Sequence, residues 1–569
     1  MQPATLRTRA NRLLLFLWVC FVTRGLFYVL ATPVWEGFDE YSHFAYLERV
    51  AAGSGLITDR HTVPQDITES FDVLPLPRAM LLQLQDGRPR LDYERYWALD
   101  PAERANLGAR LHAIRPATEE RLESRWLFIY ERQQPPLYYW VMSPLYWICR
   151  HWPLVDRVML IRVAGMLLGS LVVLATYFLV LPLAGARSGI GAAALAVSMP
   201  GLAMAVSRAG NECLAVAVGS GLVMSATKLA RDGTEGREPS RKTAWLTGLA
   251  LSAGLLTKAY FLSCAATLAL WMLWRVMKKA PAMATAKQAC QVFGLPVVLA
   301  GWWYVRNILL TGSVSGEQTD SFMQQMTLSG RLAALAGVQW WRALDTLFFS
   351  HIFVGGWSFL LVRAWMYHLL GTFFVLAMVG VVIGLAAGQS GLRGSHLSVG
   401  ARSSLGMLTL LEAGLLASLA YHTLVTFAVF HESATNGWYL YSLTAAECLL
   451  IPWGLSFWLG AQWKAAVFPA LAALFAALDV FAMQVYLLPY YTGLTGHSPQ
   501  GMVRGWNLWR AGADDWGTLF ARLTVNKPEA LSTVLFIGLW AAYLGATVMA
   551  PGLALLAMRR VERKTTAAP

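Results

Sequence analysis

Long apolar runs divide this chain from end to end, and they decide most of what it can fold into. They fall at about 12–32, 135–149, 158–183, 189–206, 212–228, 245–274, 288–305, 364–388, 404–430, 439–460, 465–488 and 531–557. Several hold about 20 residues with almost no charge, enough to cross a hydrocarbon core as a helix. The chain therefore reads as an all-α polytopic membrane protein. Composition agrees: 56% of the 569 residues are hydrophobic and 14% charged, against about 25% charged in globular domains.

The first run, Leu13 to Thr32, is too long for a signal-peptide core and has no small-residue cleavage site behind it, so it reads as an uncleaved anchor. The net charge of +13 reads as orientation, with no call for a nucleic-acid partner. Basic residues gather at Arg7, Arg9 and Arg12, in "KLARDGTEGREPSRK" (228–242) and in "RRVERK" (559–564), and the positive-inside rule places all three in the cytoplasm. Cys20, Cys149, Cys213, Cys264, Cys290 and Cys448 lie in or beside apolar runs without metal spacing, which points to packing.

Orientation then sorts the polar segments. Run 245–274 has basic flanks on both sides and is broken by "TKAY" (257–260). Two short helices in a hairpin satisfy this, with Lys258 at the outer tip. Residues 288–305 then run outward and deliver "WWYVRN" (302–307) to the same face, where the long loop 33–134 also lies. Splitting the hairpin gives 13 segments, while two cytoplasmic termini need an even number. One segment before Lys228 therefore fails to span, either "PPLYYWVMSPLYWIC" (135–149) or the run broken by Pro200. Segment 312–363 has the aromatic, glycine-broken "FFSHIFVGGWSF" of a re-entrant piece, and loop 489–530 suits a headgroup boundary.

The outer side carries the reactive residue types. In "FDEYSHF" (38–44), Asp39 and His43 stand one helical turn apart. Asp39 is placed either to cap a helix or, desolvated at an apolar rim, to act as a general base. "YERQQPPLYYW" (130–140) sets Glu131, Arg132 and Gln134 above a proline-started helix; taken alone, this pattern fits ordinary anchoring. Lys258 and Arg306 suit a phosphate or simple snorkelling. Arg208, Asn211 and Glu212 form a polar patch between two apolar runs, and His431 and Glu432 lie between two long helices. No zinc signature, Walker loop, dinucleotide fingerprint or Gly-x-Ser-x-Gly elbow is present.

Five stretches, in order, resemble the GT-C superfamily of glycosyltransferases, nearest the bacterial protein O-mannosyltransferase and aminoarabinose transferase branches. They are "FDEYSHF", "ERQQPPLYYW", "SRAGNECLAV", "LLTKAYF" and "GWWYVRNILLTG". Two departures from the pattern stand out: Asn211 and Glu212 stand where an Asp is expected, and Trp438 of "NGWYLYSL" stands where many relatives carry Arg. The resemblance implies a GT-C-like bundle of about 12–13 transmembrane helices. Residues 1–460 would form the catalytic module, with its first outer loop at 33–134, and 461–569 the C-terminal helices with the outer loop 489–530.

It also implies a multi-pass protein of a bacterial inner membrane, working in cell-envelope glycan or glycoprotein synthesis. The enzyme would move a sugar, with inversion, from a polyprenyl phosphate to an acceptor hydroxyl on a glycan, lipid or protein outside the cytoplasm. Asp39 and Glu40 would be catalytic; His43, Glu131, Arg132, Gln134, Lys258, Arg306 and Asn307 would bind substrate. No metal ligands are assigned, although two carboxylates are available to a divalent cation. A transporter or flippase for lipid-linked glycans is the alternative, and would call for internal repeats and mid-membrane charges.

Overall fold

The computed structural model describes residues 4–57, 61–84, 86–116, 127–234, 240–278, 281–389, 391–392 and 396–559. Most of "RRVERK" and residues 235–239 of the central basic loop lie outside them. Among the described residues the regular elements are helical, and extended pairing is confined to isolated bridges such as Thr62 with Phe128.

The apolar runs become α1 (Ala4–Ala31), α4 (Leu154–Gly169), α5 (Leu171–Ser198), α7 (Glu212–Asp232), α8 (Arg241–Leu255), α9 (Phe261–Met277), α10 (Ala282–Leu299), α13 (Ala364–Ala387), α14 (Val399–Phe430), α15 (Thr444–Leu455), α16 (Val467–Phe481) and α17 (Thr533–Arg559). Shorter helices that matter below are α2 (Glu40–Ala51), α3 (Leu137–Cys149), α6 (Pro200–Val206), α11 (Gly301–Thr311) and α12 (Trp340–Ile352). By length and apolarity eight helices among the described residues could cross a membrane, or nine counting α10 and α11 as one span bent by 53°.

One of those eight is the continuous stretch Leu154–Ser198, which is two passes. Gly185 takes φ 87° and ψ 169° inside α5, a conformation that glycine adopts without a Cβ clash. The chain folds back there, so closely that a Cβ on Gly189 would sit 2.9 Å from the Tyr177 ring. Dividing that stretch, keeping the bent pair as one span and adding the shorter hairpin helices α8 and α9 gives twelve passes among the described residues.

The segment that does not span is α3. Its first amide, Leu137 N–H, donates to Leu256 O beside the hairpin tip at 2.9 Å. Near its last turn, the Tyr146 hydroxyl donates to Glu48 on α2 at 2.7 Å. Arg157, at the start of α4, reaches Glu48 at 3.2 Å and Asp66 at 2.6 Å. Both ends of α3 thus stay with the first polar loop, and Tyr139 stacks on Tyr46 with ring centres 3.6 Å apart. The Pro200 break instead lies within a complete pass made by the second half of α5 and α6.

Opposite this loop-rich end, Arg9 and Leu13 of α1, Gly185 and Arg187 at the fold-back, and Leu556 of α17 line one cavity. The first and last helices therefore begin and end at the same side of the bundle. They are also joined midway along their length. Arg24 of α1 pairs with Asp479 of α16 at 2.7 Å, neither side chain exposed, while Tyr28 of α1 and Tyr543 of α17 both donate to that aspartate.

In the first polar loop, Pro101–Ala113 is a helix started by the Asp100 side chain, which accepts Ala102 N–H at 2.8 Å. Segment 353–360 docks over the start of that loop: Trp357 N–H donates to Glu36 O, and the Glu36 carboxylate accepts from Ser358 N–H, Ser358 Oγ and Tyr93 Oη at 2.8–3.0 Å.

Candidate active site

Asp39 follows α1 by a short turn and precedes α2, but it does not cap that helix. Its φ of 56° and ψ of 13° are left-handed and its side chain accepts no capping N–H. A non-glycine residue held there carries about 1–2 kcal/mol of strain. The half-buried carboxylate has no hydrogen-bonding partner among the described residues. Burial lifts its pKa to about 6, Arg208 and Lys258 pulling it back down and Glu212 pushing it up.

Those three neighbours form one charged unit. Glu212, the first residue of α7, meets Lys258 Nζ at the hairpin tip with its Oε1 at 2.5 Å and Arg208 Nη2 at 3.1 Å. Glu212 Oε2 and Arg208 Nε are buried without a partner. The Arg208 guanidinium also lies 5.7 Å from the Phe38 ring centre, and Phe38 stacks on Trp438 at 4.5 Å. A Cβ on Gly37 would come within 2.8 Å of Arg208 Cβ, so the glycine before Phe38 leaves room for the arginine.

His43 and Glu131 close the other side. His43 is buried with Nδ1 2.8 Å from the Tyr139 hydroxyl, and burial drives its pKa down to about 3, so the imidazole is neutral. Glu131 sits in a 3-10 turn, Tyr130–Gln133, its backbone N–H donating to Ser42 Oγ at 3.0 Å. Its Oε2 is buried without a partner. Burial first, and then the charge of Asp39, raise its pKa well above its ordinary value. Gln134 Oε1 accepts from Asn211 Nδ2 at 3.2 Å, and that same amide nitrogen reaches Thr257 O, linking the three chain segments.

The remaining expected residues stand apart from this group. Glu40 turns away from Asp39 and forms a two-pronged ion pair with Arg162 at 2.7 and 2.6 Å, while also accepting Trp35 and Ala209 N–H. Arg162 donates onward to Val29, Thr32 and Pro33 carbonyls, pinning the end of α1 to α2. Arg306 lies over the Trp303 ring at 4.5 Å and donates to Ile57 O at 2.8 Å. Asn307 Nδ2 donates to Val314 O and so closes the turn after α11. Among the described residues, Arg132 reaches the Ile129 carbonyl at 3.5 Å.

Asp39, His43, Glu131, Gln134 and Lys258 are therefore brought together, with Arg208 and Glu212 as members not chosen from the sequence. The signal for those two was present: a polar break, "SRAGNE", between apolar runs, with a cation and an anion four residues apart. A divalent ion bridging residues 39 and 40 does not suit these residues, because both Glu40 oxygens are committed to Arg162. No group of three or more His, Cys, Asp or Glu is arranged for a metal among the described residues.

No family model and no curated protein sequence matches the chain. Among solved structures it is similar to ArnT from Cupriavidus metallidurans bound to undecaprenyl phosphate, at 12% identity over 99% of this chain and 79% of that one, with a TM-score of 0.44. It is also similar to the apo state of that ArnT, at 14% identity over 87% of this chain and 75% of that one, with a TM-score of 0.39.

Proposed function

We propose that the chain is a membrane glycosyltransferase of the GT-C kind, moving a sugar from a polyprenyl-phosphate donor to an acceptor hydroxyl. The observation that carries this reading is an unpartnered carboxylate, Asp39, beside two cations, Lys258 and Arg208, that share a single glutamate. A base and a phosphate-binding pair are what such a transfer needs in one place. The positive-inside rule supports reading this end of the bundle as outside the cytoplasm, and the protein as a bacterial inner-membrane enzyme of cell-envelope synthesis.

In this reading the donor phosphate sits by Lys258 and Arg208, the latter supplying the cation absent at Trp438. Asp39 takes the proton from the acceptor hydroxyl, whose oxygen attacks C1 of the sugar. The C1–O bond to phosphate breaks, its electron pair stays on the phosphate, and configuration at C1 inverts. The cations offset the charge that develops on the leaving group. Glu131, with its unpartnered Oε2, meets a polar group of the sugar or acceptor by a hydrogen bond, and neutral His43 orients the acceptor. Glu40 acts through Arg162 as a positioning residue. Arg132 and Arg306 flank the site within reach of a long, flexible donor.

The test is sugar transfer in membranes loaded with candidate polyprenyl-phosphate sugars, comparing wild type with Asp39→Asn and Lys258→Ala. Both variants should lose transfer while remaining folded. Full activity in both would overturn the assignment, and translocation of the lipid without transfer would favour a flippase.

A further inference from the structure

We propose that the apolar cavity between α12, α13, α14 and α15 binds an amphiphile with an alkyl chain and a primary amine. The cavity measures about 410 Å³, within the range of small-molecule sites. Leu347, Phe374, Leu416 and Leu450 make up part of its apolar wall. Set into that wall are two carboxylates, Glu412 and Glu447, and one imidazole, His351, with no lysine or arginine among the described lining residues.

Charge bookkeeping points to a cation. Glu447 is 7% exposed and its Oε2 has no partner; Glu412 Oε1 has none either. Glu447 Oε1 lies 3.2 Å from His351 Nε2. His351 Nδ1 lies 3.2 Å from the Gly437 carbonyl, which can only accept, so Nδ1 carries a hydrogen. Nε2 then carries one only in the imidazolium form. The ring thus supplies at most one positive charge for two carboxylates in surroundings where an unpaired charge is expensive. A primary ammonium brings the missing charge and three donors, and the apolar wall accommodates its chain.

The site is separate from the transferase reading and does not depend on it. The two sites share the 3-10 segment Gly437–Leu443: Trp438 stacks on Phe38 and the Tyr439 ring centre lies 5.9 Å from Lys258 Nζ, while Leu440 lines the cavity.

The experiment uses the full chain in neutral detergent with two photoreactive probes of equal length, a dodecylamine and a dodecanol. The amine should label peptides from α12 to α15 at least about tenfold more than the alcohol, and plain dodecylamine should compete. The double variant Glu412→Gln, Glu447→Gln should remove the preference while retaining the background labelling of the alcohol. Equal labelling by amine and alcohol in the wild type, a comparison that needs no variant, overturns the proposal. So does an amine preference that survives the double substitution.

Discussion

Lys258 and Glu212 meet at 2.5 Å, and Glu212 holds Arg208 with the same oxygen. One carboxylate thus fixes two cations beside Asp39, and its charge also bears on how readily Asp39 gives up its proton. Asp39 must be unprotonated to act as a base, and its pKa stands at about 6. Transfer should therefore rise with pH through about 6 and fall roughly tenfold per unit below it. Glu212→Gln removes a charge that raises this pKa, so the acid limb should move to lower pH. A profile of kcat/KM against pH for the two proteins checks it, and an unmoved limb refutes the coupling.

Gly37→Ala should shift the same limb in the opposite direction. The new methyl would meet Arg208 Cβ at 2.8 Å and displace a guanidinium whose charge lowers the Asp39 pKa. The expected result is an acid limb at higher pH together with a raised KM for the donor, measured over a range of donor concentrations.

Asp39→Gly separates stability from function. Glycine relieves about 1–2 kcal/mol of left-handed strain and adds about 0.5–1 kcal/mol of unfolded-state freedom. The variant should melt at the same temperature as wild type or slightly above it, while transfer falls by about 10²–10⁴. Thermal unfolding in detergent and the transfer assay read the two effects separately.

Glu40→Ala should destabilise the fold by about 3–5 kcal/mol, because it strands Arg162 as an unpaired buried charge. Glu40→Gln keeps the shape and part of the bonding. It should lower transfer without moving the acid limb at about 6, since Glu40 is not among the groups that set the Asp39 pKa. A shifted limb would instead make Glu40 a partner in proton transfer.

Topology can be tested with cysteines. If α3 lies along one face, Gly53→Cys and Trp152→Cys should react with an impermeant thiol reagent from the same side, and Arg187→Cys only from the other. The background carries Cys290→Ser, because Cys290 is exposed. Trp152→Cys reacting from the Arg187 side would make α3 a true span.

The passes were legible because uncharged runs of membrane length leave few alternatives to a helix, and the Lys258 hairpin followed from its basic flanks. Whether 135–149 crossed was not legible: its composition suits a span, and only the bonds of Leu137 and Tyr146 at its two ends show that it does not. At the site, spacing placed Asp39 and His43 together but could not separate Asp39 from Glu40. Adjacent residues at a helix start point in different directions, and the positive φ of Asp39 decides which carboxylate faces Lys258. Arg306 and Asn307 were drawn in by their motif, whereas their side chains serve the turn and loop beside them.

The pairing of Arg24 with Asp479 bears on how the protein is made. The two residues are 455 positions apart, so α1 enters the bilayer long before its counter-charge exists. At ordinary synthesis rates the interval is roughly 20–90 s, during which an arginine at mid-helix costs about 2.5–3.5 kcal/mol on insertion scales. The first helix thus has reason to stay near the insertion machinery until α16 arrives. Closure of the bundle becomes a late, ordered event in biogenesis, one that a nascent chain halted before residue 479 cannot complete.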